Sequence, residues 1–237
     1  MSWEKKAFPG GKTAALWPDG DPASPLILVN GFEEETAPLR EALAALGASP
    51  CHLLAVGGLD WNRDLSPWEA PAAFRGEEPF SGGADAHLHL LLEEVIPWAD
   101  ARIGGEPAWR GIAGYSLAGL FALYALYRCG SFRRAASVSG SLWFPGFRAF
   151  AETHAFACEP DGLYLSVGDR EERTRNPMLR PVRENMEALA AHWRRMGIPV
   201  TSELNPGNHF QDAVGRLARG IRAMLSPAGR AAESILN

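Results

Sequence analysis

The clearest chemistry in this chain lies in Gly114-Tyr-Ser116-Leu-Ala118-Gly119. A serine hydroxyl attacks a carbonyl only when a base takes its proton and donors steady the oxyanion that forms. A β-like run ending at Ala113 precedes the serine. Leu117, Leu120, Phe121, Tyr124 and Tyr127 follow it at helical spacing, so a strand enters and a helix leaves. Backbone on so sharp a turn is strained, and bulky side chains two positions either side of the serine would collide. Gly114 and Ala118 meet that demand, and the N–H of Leu117, in the first helical turn, is placed to bind an oxyanion. G-x-S-x-A in this context reads as a nucleophile elbow. The competing reading, Ser116 as a plain helix N-cap, does not account for the strand before it.

The base must come from six histidines. His87 and His89 are two apart on a predicted helix and face different ways, which also removes them as a paired metal site. His192 lies within a helix, His52 starts a strand, and His154 precedes any suitable acid. His209 remains, in the turn Pro206-Gly-Asn-His209 just past the final predicted strand. The chain order Ser, acid, His suits a strand–turn–helix hydrolytic site. Between the two, a strand ends at Gly168-Asp169-Arg170-Glu171-Glu172 and offers three carboxylates. Glu171, three residues past the glycine, is the preferred partner for the imidazole N–H. A second oxyanion donor is expected from Asn30-Gly31-Phe32, through the N–H of Gly31 or Phe32.

The elements that must position these groups alternate along the chain. Predicted strands cover Thr13–Trp17 and residues 25–30, 52–56, 132–139, 162–167 and 199–204. Predicted helices cover residues 36–47, 84–103 with a possible kink at Pro97, 182–196 and 210–225, with a short one ending at His154. Alternation of this kind gives a mostly parallel sheet with helices on both faces, and ligands bind beyond the carboxyl ends of its strands. Residues 57–83 show no periodicity and read as a long functional loop. Trp61 and Trp68 from that loop, with Trp143 and Phe144 from an aromatic loop after the 132–139 strand, are candidates to line the substrate pocket. Arg63, beside Asp64, either orders the long loop or meets an anionic group of the substrate.

A length of 237 residues with 46% hydrophobic content suits one α/β domain spanning residues 1–237. The net charge of −5 and the dispersed basic residues give no footprint for nucleic acid. Cys51, Cys129 and Cys158 are odd in number and widely spaced, so no disulfide framework and no zinc cluster is expected. No signal peptide and no membrane span is read from the apolar runs, and a cytoplasmic protein without metal or cofactor is the expectation.

Together, Arg63-Asp-Leu-Ser-Pro67, Phe80-Ser-Gly-Gly-Ala-Asp85, the elbow, Ser141-Leu-Trp143 and Asn205-Pro-Gly-Asn-His-Phe210 resemble the putative esterase (esterase D-like) family of α/β-hydrolases over residues 26–225. Within it, the chain is most similar to bacterial siderophore esterases that open trilactones of the enterobactin and salmochelin type. The resemblance implies an α/β-hydrolase fold, a catalytic Ser116, Glu171 and His209, and a small-molecule ester as substrate. Two departures are visible: Ala118-Gly119 stands where members often carry Gly-Gly, and few strands precede Pro25. Acyl transfer or thioester cleavage would use the same residues, and a non-catalytic binding protein could keep the same scaffold.

Overall fold

Residues 26–30, Leu-Ile-Leu-Val-Asn, are apolar at every position but the last, and such a strand must be covered on both faces. In the computed structural model, which describes residues 3–31 and 36–226, this segment is β3 (Leu26–Asn30), buried throughout. It lies within an eight-stranded sheet. In spatial order the strands are β1 (Glu4–Ala7), β2 (Thr13–Trp17), β4 (His52–Gly57), β3, β7 (Arg110–Tyr115), β8 (Arg134–Val138), β9 (Gly162–Gly168) and β10 (Val200–Asn205). From β4 to β10 every pairing is parallel, and β1 and β2 are added antiparallel at one edge. The arrangement is an α/β-hydrolase fold. The exposed strand β1, with sequence Glu-Lys-Lys-Ala, has no alternation to betray it. Its lysines suit an outer strand, where charge discourages pairing with another chain.

Side chains alternate across β3. Leu26 and Leu28 face a layer built by α3 (Ala84–Leu90), α4 (Ile96–Ile103), α5 (Leu117–Arg128), α6 (Phe147–Thr153) and α7 (Val182–Arg195), while Ile27 and Val29 face α1 (Thr36–Ala45) and α8 (Ala213–Leu225). Every residue of α5 from Leu117 to Tyr127 is buried, which is what a helix apolar on all sides requires. The helix expected over residues 84–103 is continuous but carries a π-turn at Leu91–Val95, and all its junction residues keep helical dihedrals. Pro97 follows directly. Its ring would clash with the carbonyl four residues back, and the widened turn relieves that clash.

The long loop is more ordered than its sequence suggests. Residues 57–83 contain a one-turn helix, α2 (Trp61–Asp64), and a minimal hairpin of β5 (Glu69–Ala70) with β6 (Phe80–Ser81). Asp60 caps α2 by accepting the N–H of Arg63, and Ser66 ties the loop across its base by donating to Asn62 O and accepting from Gly82 N–H. Beneath them Lys12 and Asp64 form a buried ion pair. These polar ties act over spans too short for hydrophobic periodicity to report. Among the described residues, no helix is long and apolar enough to cross a membrane.

Candidate active site

The parallel order brings the carboxyl ends of β3, β7, β9 and β10 to one edge of the sheet, and Gly31, Ser116, Glu171 and His209 each follow one of those ends. Ser116 leaves β7 with φ 59° and ψ −123°, a conformation non-glycine residues adopt only where surrounding contacts hold them. Those contacts are present: its N–H donates to Val138 O and its carbonyl accepts from Ser141 N–H, both at 3.0 Å. A Cβ added to Gly114 would lie 2.3 Å from the carbonyl of Ala118, so the small-residue requirement read from the sequence is physical. Leu117 opens α5, where the first N–H groups have no partner inside the helix.

His209 hangs from the turn after β10, with its backbone carbonyl accepting the Tyr115 hydroxyl at 2.6 Å. Its Nε2 lies 3.0 Å from Ser116 Oγ and its Nδ1 lies 2.8 Å from Glu171 Oε2. A carboxylate only accepts, so Nδ1 carries the proton and Nε2 is free to receive that of the serine. The other two carboxylates are committed elsewhere. Asp169 accepts the N–H of Gly207 at 2.7 Å, and Glu172 faces Arg183 at 3.5 Å. Glu171 also folds back on its own turn, where Oε1 accepts Gly168 N–H at 2.7 Å.

Beneath this series lies a group the sequence reading missed. Arg216, on α8, is 1% exposed. Its Nη1 donates to Glu171 Oε1 and Ser139 Oγ at 3.2 Å and to Tyr115 Oη at 3.3 Å, and its Nη2 donates to Pro206 O at 2.7 Å. Burial pushes the Glu171 carboxyl upward, but the hydrogen bond and charge of His209, then Gly168 N–H and Ser139, outweigh it and hold the group below its ordinary range. Glu171 is therefore a carboxylate at neutral pH. The available signal was phase: residue 216 shares its helical face with Gly220 and Met224, both buried.

The oxyanion loop requires a correction. Gly31 N–H donates to Val56 O at 3.0 Å, so the sheet consumes it and it cannot serve a substrate. Phe32, the alternative donor, lies outside the described residues. Asn30, just before them, accepts from buried His87 at 2.9 Å.

Two cavities meet at Ser116 and His209. One, about 310 Å³, has Trp61, Tyr115, Val214 and Leu217 in its wall; the other, about 520 Å³, is walled by Phe74, Trp143, Leu179 and a set of arginines. Phe210, 86% exposed, stands at both. Trp61 and Trp143 thus stand in the walls beside Ser116. Trp68 and Phe144 do not; they pack together at 5.9 Å between ring centres, with Trp68 Nε1 donating to Pro145 O. Arg63 lines neither cavity and instead pairs with Asp64 at 3.0 Å and Asp60 at 3.4 Å, which is the loop-ordering alternative.

Known proteins share this framework. The siderophore hydrolase EstA from Aspergillus nidulans superposes with a TM-score of 0.71 at 20% identity, over 94% of this chain and 93% of that one. An IroE-like serine hydrolase from Shewanella oneidensis gives 0.75 at 14% identity, over 94% and 79%. In sequence, the chain is 26% identical over 160 residues to the uncharacterized protein YbbA of Bacillus subtilis, an alignment spanning 65% of this chain but only 58% of that one. The model of the family described as Putative esterase matches residues 33–213, a span that takes in Ser116, Glu171 and His209, and the chain belongs to that family.

Proposed function

We propose that this chain is a serine carboxylic-ester hydrolase that works through an acyl-enzyme on small-molecule esters, siderophore-type esters among them. The observation that carries the reading is the unbroken series from Ser116 Oγ to His209 at 3.0 Å and on to Glu171 at 2.8 Å, on a strained strand-to-helix turn. In this reading Ser116 attacks the ester carbonyl while His209 Nε2 takes its proton, and Glu171 steadies the imidazolium. Leu117 N–H, with a second donor from the loop after β3, takes the charge of the tetrahedral oxygen. His209 then gives the proton to the departing alcohol, and water repeats the sequence on the acyl-enzyme to release the acid. Membership of an esterase family supports the ester as substrate.

A fluorophosphonate probe tests this directly. It should attach stoichiometrically to the wild-type protein at Ser116 and not at all to Ser116→Ala. The same substitution should lower ester turnover to the residue of about 10³–10⁴ over water that binding and the oxyanion hole supply alone. Labelling at another residue, or a folded alanine variant retaining more than about a tenth of wild-type turnover, would refute it.

A further inference from the structure

The turn that carries Glu171 is unusually basic for a chain of net charge −5: residues 168–183 hold five arginines against three carboxylates. All three carboxylates are engaged, Asp169 with Gly207 N–H, Glu171 with His209 and Arg216, and Glu172 with Arg183. Arg183 is also matched by Glu187, and Arg180 donates to Thr174 O. Arg170 has only a distant contact, 3.8 Å from Asp169, and among the described residues no carboxylate lies within ion-pair distance of Arg173 or Arg175. These three under-matched guanidinium groups line the cavity of about 520 Å³ that also contains Ser116 and His209. Asn176 anchors their turn by donating from Nδ2 to Ala73 O, beside Phe74 in the same wall. Among the described residues, the lining of the smaller cavity on the other side of the serine holds no arginine or lysine.

We infer that the larger chamber selects esters bearing an anion of the carboxylate class, held by Arg170, Arg173 and Arg175, while the half of the substrate in the smaller chamber is uncharged. This rests on the esterase reading and narrows its substrate. Guanidinium forks match planar oxyanions, and the apolar walls of Phe74, Trp143 and Leu179 exclude part of the water that would screen the charge. Three under-matched arginines on one turn repel one another, and an anionic substrate offsets that repulsion.

The test uses matched pairs. 4-Nitrophenyl hemiadipate against 4-nitrophenyl heptanoate puts the charge on the acyl side, and 4-butyryloxybenzoate against 4-methylphenyl butyrate puts it on the alcohol side. In one pair the anionic member should have a kcat/KM at least about tenfold higher, the effect of one charge-assisted hydrogen bond in a partly desolvated site. That ratio should shrink at high salt and fall toward one in Arg170→Gln/Arg173→Gln/Arg175→Gln. No preference in either pair, or a preference that survives the triple substitution, would overturn the inference. Calorimetric binding of the same intact esters to Ser116→Ala separates it from the parent reading. If wild-type protein hydrolyses none of them, the esterase reading fails, yet tighter binding of an anionic member still upholds the chamber, and equal binding within both pairs still sinks it.

Discussion

Arg216 offers the sharpest test of how the candidate site is held, because one side chain touches both the acid and the supports of the base. Arg216→Met keeps the length of the stem and removes the guanidinium. It leaves Glu171, whose side chain is 4% exposed, without the buried cation beside it, and it frees Pro206 O and Tyr115 Oη from that donor. Removing one partner of a buried ion pair costs about 3–5 kcal/mol. In a chain of this size each kcal/mol lowers Tm by roughly 2–4 °C, so melting should fall by roughly 10 °C. The electrostatic consequence has a definite sign. Glu171 is now held below its ordinary range, and loss of a positive charge at 3.2 Å must raise it. That rise moves the acidic limb of the kcat/KM profile to higher pH. At an effective dielectric near 20, a charge about 4 Å away is worth about 4 kcal/mol, and even a third of that, after solvent screening, is about one pH unit. Initial rates on an uncharged nitrophenyl ester from pH 4.5 to 9 would show it, with far-UV circular dichroism to establish folding. Arg216→Lys keeps the charge but not the fork, so it should hold the acidic limb near its wild-type position while still losing stability. If the methionine variant melts early but its pH profile overlays the wild type, Arg216 is a structural brace only, and the positioning argument is wrong.

Among the three carboxylates after β9, Glu171→Gln should cost the most turnover, approaching the roughly 10⁴ seen where an orienting acid is removed; Asp169→Asn and Glu172→Gln should stay within about tenfold, and steady-state kinetics on the three variants would expose any other ranking. Arg63→Ala should lower Tm with KM for uncharged esters unchanged, because Arg63 pairs with Asp60 and Asp64 rather than lining a cavity; a raised KM at constant Tm would return it to the substrate. Burial of His87 lowers its pKa from 6.5 to about 4. A depressed folded-state pKa contributes stability that is complete above 6.5 and is lost as pH falls toward 4, a loss of about 3 kcal/mol at most. Denaturant melts at pH 7 and pH 4.5 should therefore converge in His87→Gln relative to wild type, and parallel losses in both proteins would show that His87 is not the group responsible.

What the sequence made legible is what local backbone rules govern. The elbow announces itself because its small residues are demanded within five positions of one another, and His209 because it follows the last strand in a glycine turn. Gly31 was misjudged for a complementary reason. Whether a strand-end N–H is free depends on the register of the neighbouring strand, here Val56 of β4, and a sequence carries no trace of that register. Arg216 was missed because an arginine on an amphipathic helix is assigned to water by default, even where its phase places it on the buried face. Its partners come from the ends of β7, β8 and β9, and only their convergence makes burial of the charge tolerable. The ordering of residues 57–83 was hidden for the same reason, since the Lys12–Asp64 pair that underlies it joins segments far apart in the chain.

The preference for Glu171 over its neighbours shows where a sequence argument and a structural one differ even when they reach the same residue. From the sequence, reach decides: a glutamate has one more methylene than an aspartate, and Asp169 leaves the strand too soon. In the structure, donors decide. A Cβ on Gly168 would lie 2.4 Å from Gly207 O, so the ends of β9 and β10 are nearly in contact, and Asp169 is the carboxylate within range of the Gly207 N–H. That bond closes the two strand ends together and fixes the turn on which His209 sits. Glu171 lies under His209 with two further donors, Gly168 N–H and the Arg216 guanidinium, converging on its other oxygen. Glu172 points out to Arg183. Each acid therefore goes to a different donor, and a substitution that lengthened Asp169 to glutamate would not create a second partner for His209; it would detach the Gly207 turn and loosen His209 with it.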